Sequence, residues 1–198
     1  MTSPGRNRTI ALAFLLSLAL LPTGCGSSSG GAGGGEPPDY ERALAGSPPP
    51  LAALHEQANE ILPGGVDAYE RRIEALAGYP IVVNFWASWC GPCRYEFPVL
   101  QKLSTRYGKR VAFLAVNVQD ADDDAADFLR EEPVPYPSYR DADKEILQGL
   151  GGLGGLPDNA FYNREGELCH LKQGPYPQDE ELEADLRRFA LDEECESG

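Results

Sequence analysis

"VVNFWASWCGPCRYEFPVL" occupies residues 82–100. Its first half continues the apolar run opened by Pro80 and Ile81, the pattern of a strand covered on both faces. Its second half opens on a Gly91-Pro92 step, and proline suits a first helical turn. The stretch predicts a strand, then a helix to about Tyr107 with a bend at Pro98. Cys90 and Cys93 stand where one element becomes the other. Such a pair can grip a metal, staple a fold or exchange electrons.

The rest of the chain weighs those choices. The five cysteines are Cys25, Cys90, Cys93, Cys169 and Cys195, and the two histidines are His55 and His170. There is no second C-x-x-C, and a structural zinc site takes four ligands, so no metal is expected. A crosslink as short as Cys90–Cys93 constrains an unfolded chain little, which argues against a staple. At a helix start, free N–H groups and the dipole favour a thiolate. Cys90 is then the nucleophile, and Cys93, one turn in, is placed to resolve a mixed disulfide. The pair would itself be the redox group, and no cofactor is expected.

Toward the N-terminus, Arg6 and Arg8 precede an apolar run over 10–21 broken only by Ser17. The run is too short to span a bilayer comfortably and fits the apolar part of an export signal. It ends at "LLPTGC", followed by a Gly/Ser tract over 26–35. This resembles the lipobox of bacterial lipoproteins, although Pro22 stands where that family prefers Leu. It implies a lipid on Cys25 and membrane attachment; ordinary secretion and an uncleaved anchor remain the alternatives. Four regions are expected: a signal over 1–24, a disordered Gly/Ser/Pro linker over 25–50, a domain over 51–191 and an acidic tail over 192–198.

Within the domain, Leu54, Ala58, Ile61 and Leu62 form one helical stripe that Pro63 breaks, and Val66, Tyr69, Ile73 and Leu76 form another. "RVAFLAVNV" (110–118) predicts a second buried strand, and "DADDDAADFLREE" (120–132) an acid-capped helix. "PVPYPSYRD" (133–141) reads as extended chain and "DKEILQGLG" (143–151) as a short helix. "NAFYNREGELCHLKQ" (159–173) predicts a hairpin, and "DEELEADLRRFAL" (179–191) a closing helix. Alternating helices and strands followed by a hairpin place the fold in the α/β class, with helices on both faces of a mixed sheet.

Two motifs carry a family resemblance. "VVNFWASWCGPCRYEFPVL" is similar to the membrane-tethered TlpA/ResA-like thioredoxins, which share the run W-C-x-P-C-R-x-E-x-P. "GGLGGLPDNAFYNREGEL" (151–168) resembles the segment in which that family places a cis-proline facing the disulfide. The resemblance covers roughly residues 66–191. It implies a thioredoxin-like fold with a TlpA-type insertion. It also implies that Pro157 is cis and that the backbone of Leu156 pairs with substrate. Trp89, Gly91 and Pro92 would meet partners around the disulfide. Glu96, three residues past Cys93, would help handle protons, because the aspartate used by thioredoxins is replaced by Asn84, which cannot take one. The sequence departs from the family at Asp158, often Thr there, and at Asn163, usually Asp. Cys169 and Cys195 are extra. Cys169 reads as a buried, inert thiol, with a bridge to Cys195 as the alternative.

The formal charge is −14, and removing residues 1–24 takes away two arginines and no acid, leaving it near −16. That balance argues against nucleic acid as a partner. The resemblance implies a monomeric oxidoreductase acting on cysteine pairs of exported proteins and supplied with electrons by a membrane thiol carrier. Gly-Pro between the cysteines is the thioredoxin dipeptide. Thioredoxin sits at about −270 mV against about −120 mV for DsbA, which favours a reductant, such as one that opens disulfides in apocytochrome c. Two other classes compete. A thiol peroxidase would want a P-x-x-x-T-x-x-C pattern, which "NFWASW" before Cys90 lacks. A redox-inactive lipoprotein binding module would have no need of an intact C-x-x-C.

Overall fold

The computed structural model describes residues 1–2, 5, 38–192 and 195. Cys25, the apolar run and the Gly/Ser tract lie outside the described residues. Residues 38–192 and Cys195 fall within a single unit that starts at Gly33.

The centre is a pair of parallel strands, β2 (Ile81–Trp86) and β3 (Ala112–Val118), in which every residue is buried. A strand with no exposed face must be covered twice, and the chain supplies both covers. Val82 and Trp86 pack with α4 (Gly91–Tyr107) and α5 (Asp122–Glu131) on one side. Ile81, Val83 and Phe85 pack with α2 (Pro49–His55), α3 (Gly65–Ala75) and α6 (Glu145–Gly149) on the other. Two-residue alternation thus splits one apolar run between two cores.

Beyond β3 the sheet continues in parallel with β4 (Ser138–Asp141) and β1 (Ile61–Leu62). Beyond β2 it turns antiparallel through the hairpin of β5 (Asp158–Tyr162) and β6 (Leu168–Gln173). The order is β1-β4-β3-β2-β5-β6, a mixed sheet. Between β3 and the hairpin the chain adds α5, β4 and α6, and β4 takes a place between β1 and β3. Helix α7 (Asp179–Asp185) closes the fold on the α4 side.

Several elements differ from the sequence reading, and each difference has a tertiary cause. The stripe through Ile61 and Leu62 is not helical. Helix α2 stops at His55, and Ile61–Leu62 pairs with β4, with Ser138 N–H donating to Glu60 O at 2.8 Å. Sheet pairing overrides local periodicity there. The extended Pro-rich stretch becomes β4 for the same reason. The linker expected over 25–50 is ordered where it is described. Helix α1 (Tyr40–Leu44) is capped by Asp39, which accepts from Arg42 N–H at 3.0 Å. Tyr40 Oη donates to Pro133 O at 2.8 Å, and Leu44 is buried. The closing helix changes pitch at Leu186, and Leu186–Leu191 is π-helical, with Asp192 N–H reaching back to Arg187 O at 2.8 Å. Helix α4 runs through Pro98 to Tyr107.

Cys169 is not the free thiol expected of it. It is bonded to Cys195 across 26 residues of sequence, which ties the C-terminal segment to β6. No helix among the described residues is long and apolar enough to cross a membrane.

Candidate active site

Strand β2 delivers the chain to the top of α4, and a short loop fixes how it arrives. Asp120, just past β3, accepts from Ser88 N–H at 2.5 Å, from Ser88 Oγ at 2.7 Å and from Asn117 Nδ2 at 2.9 Å. Trp89 Nε1 donates to Gln119 O at 3.0 Å, which turns the indole outward, 60% exposed. Cys90 then takes the N-cap position in extended conformation, and Pro92 lies in the first turn. The two cysteines form a disulfide with Cα atoms 5.3 Å apart. Cys93 N–H donates to Cys90 Sγ at 3.2 Å. Once the bond is reduced, that amide and the helix dipole stabilise a thiolate on Cys90. Cys90 keeps slight access to solvent, whereas Cys93 has none, with relative exposures of 4% and 0%. Cys90 is thus the more accessible of the two sulfur-bearing residues.

Glu96 lies one turn below Cys93 and is fully buried, so it is not a solvated helix glutamate. Its Oε1 accepts from Asn159 Nδ2 at 2.6 Å and from Tyr176 N–H at 3.2 Å, and its Oε2 from Asn84 Nδ2 at 3.1 Å. Burial pushes its pKa up to about 7, against the pull of Asn159, Tyr176, Asn84 and the charge of Lys172. A carboxyl poised there can take and return a proton near neutral pH. Asn84, where thioredoxins carry their buried acid, instead orients this one.

The Leu156-Pro157 bond is cis. Pro157 is buried, and its carbonyl accepts from Gly174 N–H at 2.9 Å, tying the loop to the end of β6. Leu156 is partly buried and packs against the cluster that contains Cys90 and Cys93. Gly91 and Pro92 are exposed. Trp89, Tyr95 and Leu153, the last two 80% and 86% exposed, come from the two motif segments that carry the disulfide and the cis-proline. These are large apolar side chains left in solvent rather than buried in a core.

Sequence reasoning missed Asp120 and Asn159. Asp120 looks like one more acid in "DADDD", and nothing local shows that it anchors the loop before Cys90. Asn159 was visible only as a strand residue beside the proline. Its register opposite Asn84 brings it to Glu96. Among the described residues no group of His, Cys, Asp and Glu could hold a metal ion.

Known proteins share this architecture. The Redoxin family model matches residues 63–186, which contain both reactive cysteines, Glu96 and the cis-proline. The thiol-disulfide oxidoreductase ResA of Oceanobacillus iheyensis is 30% identical over 110 residues, 55% of this chain and 57% of that protein. The thiol:disulfide interchange protein HelX of Rhodobacter capsulatus is 33% identical over 133 residues, 67% of this chain and 73% of that one. DsbF of Mycobacterium tuberculosis, solved in mixed oxidised and reduced forms, is 26% identical with a TM-score of 0.54, covering 59% of this chain and 84% of its own. The sheet with its flanking helices is thus a thioredoxin-like α/β fold. The chain belongs to the Redoxin family, in its TlpA/ResA-like branch of thiol–disulfide oxidoreductases.

Proposed function

We propose that this protein is a membrane-anchored, extracytoplasmic reductant of disulfides in exported proteins. The observation that carries the chemistry is the Cys90–Cys93 disulfide at the start of α4, one turn above a buried glutamate with a pKa near neutrality. In the reduced protein the Cys90 thiolate attacks one sulfur of a substrate disulfide. A Cys90–substrate disulfide forms, and the displaced substrate sulfur leaves as a thiolate that takes up a proton. Glu96 accepts the proton of Cys93, and the Cys93 thiolate attacks Cys90 Sγ. The second substrate sulfur leaves as a thiolate and takes up a proton as Glu96 gives its own back, so the substrate departs as a dithiol and the protein is left oxidised as Cys90–Cys93. The backbone of Leu156, before cis-Pro157, pairs with the extended substrate segment, while Trp89, Gly91 and Pro92 contact it around the disulfide.

A membrane thiol carrier then restores the dithiol, and the lipid on Cys25 holds the domain near it. Apocytochrome c, whose haem-binding cysteines must be reduced before attachment, is a substrate of fitting chemistry. The protein acts as a monomer. Catalysed reduction of insulin by dithiothreitol tests the activity, and Cys93→Ser tests the order of attack. That variant should accumulate mixed disulfides through Cys90. An inactive wild type, or traps that form only when Cys90 is the residue replaced, would overturn the reading.

A further inference from the structure

Glu96 is held by a row of polar residues that crosses three strands. Asn84 of β2 lies opposite Asn159 of β5, and Asn159 lies opposite Lys172 of β6. Alternation puts Asn84 on the same face as Val82 and Trp86, and Asn159 on the same face as Phe161, so the row is turned toward the core that α4 covers. Asn159 is its keystone. Its Nδ2 donates to Glu96 Oε1 at 2.6 Å, while its Oδ1 accepts from Asn84 Nδ2 at 3.1 Å. Asn84 Nδ2 also donates to Glu96 Oε2 at 3.1 Å. Each amide therefore has its orientation fixed by the other and by the carboxyl. Lys172 closes the row: Nζ donates to Gln173 O at 3.0 Å and to Gly174 O at 3.5 Å, and lies 5.1 Å from the centre of the Tyr176 ring. Tyr176 in turn gives its own N–H to Glu96.

We propose that Asn159 and Lys172 are positioning residues that set the pH at which Glu96 exchanges its proton. The inference rests on the proton role given to Glu96 above. Every donor in the row favours the ionised carboxylate over the acid, because an N–H or an ammonium bonds a charged oxygen more strongly than a neutral one. Burial works the other way. Without the row, a carboxyl this deep would stay protonated through neutral pH and could not serve Cys93 as a base.

Other titratable groups lie near this row. From the strand-side loops, Tyr136 and Tyr176 have their hydroxyls pushed far up, chiefly by burial. Asp158, beside Asn159, is raised by burial and drawn back by the Gly174 backbone and by Lys172. The charge of Lys172 thus acts on two buried carboxyls. From α4 itself come Cys93 and Cys90, joined in the oxidised protein.

The test follows the Glu96 carboxyl directly, by 13C NMR titration of the oxidised full chain, alongside the pH–rate profile of the reduced one. Asn159→Leu should move the Glu96 midpoint up by about one pH unit, as loss of one hydrogen bond to a charged group requires. Lys172→Met should move it up by less, and more at low salt than at high salt. Lys172→Arg should restore the wild-type midpoint. The kinetic midpoint should move with the NMR midpoint in each case. Unmoved NMR midpoints in both Asn159→Leu and Lys172→Met would overturn the inference and leave the role of Glu96 standing. NMR midpoints that move while the rate profiles stay fixed would remove Glu96 from the chemistry and leave the row as the setter of its proton. Should Asn159→Leu not fold, the half-exposed Lys172 carries the test alone.

Discussion

Two disulfides in one chain show how little the bond itself says about its purpose. Cys90–Cys93 spans three positions at the head of a helix, with an amide aimed at Cys90 Sγ and a buried acid below. Cys169–Cys195 spans 26 positions and joins strand β6 to the end of the chain. Beside it, the Asn163 amide lies 3.8 Å from Cys195 Sγ. The first loop is too short to restrain the unfolded chain much, whereas the second is long enough to do so. The first has a helix dipole to stabilise a thiolate and the second has none. Chemistry follows the surroundings of the sulfur, and stability follows the length of the loop.

The largest expected effect tests the first half of that contrast. Cys90→Ser should abolish catalysed insulin reduction down to the dithiothreitol background, while circular dichroism and Tm stay close to wild type. Retained catalysis would mean that another thiol carries the exchange, with Cys169–Cys195 the first suspect. The second half is tested by Cys169→Ser with Cys195→Ser. A loop of this size predicts a loss of about 3 kcal/mol and a fall in Tm of roughly 10 °C. Turnover by Cys90 and Cys93 should stay within about twofold of wild type. A fall in turnover without a fall in stability would make the second bridge part of the electron path.

The contrast also marks what could be read from the residues alone. Helix α4 was legible to its ends, because the Gly91-Pro92 step and the apolar spacing act within the helix itself. The cis Leu156-Pro157 bond was legible through its glycine-rich setting and family likeness. The state of Cys169 was not, since a pairing 26 positions away depends on where the chain turns after α7. Ile61–Leu62 was misread because a two-residue strand has no periodicity of its own and exists only through β4. The row beneath Glu96 was invisible for a similar reason. Asn84, Asn159 and Lys172 are 75 and 13 positions apart, and only sheet register makes them neighbours.

Glu96 sharpens the comparison by removing the acid and keeping the bond. Glu96→Gln should slow exchange at neutral pH by about tenfold, the low side of general-base catalysis. The rate profile should lose its step near pH 7, where the wild-type carboxyl titrates. Stability gives an independent reading with a fixed sign. The folded protein holds the Glu96 proton up to about pH 7, whereas an unfolded glutamate loses it near 4.5. This group's contribution is therefore complete below about pH 4.5 and is lost as the pH rises through 7. Urea titrations of wild type and Glu96→Gln across that window should diverge, with the wild type losing ground to the variant as pH rises. Parallel curves would place Glu96 outside the linkage.

The smallest effect concerns Trp89, the exposed indole next to Cys90 in the chain. Trp89 is held by its bond to Gln119 O and presents most of its ring to solvent beside Cys90. A ring so placed gains by burial against a protein partner and gains almost nothing with a small molecule. Trp89→Ala leaves the Cys93 amide on Cys90 and the row beneath Glu96 untouched, so the intrinsic reactivity of the thiolate should persist. KM for a protein disulfide should rise by roughly fivefold, with kcat little changed. The rate with a small aromatic disulfide should match the wild type. The discriminating measurement is the ratio of the two substrates' kcat/KM values in each protein. A fall confined to the protein substrate assigns Trp89 to partner contact. An equal fall on both would show that the indole acts through the loop, by holding Cys90 at the helix start, and that it has no part in choosing partners.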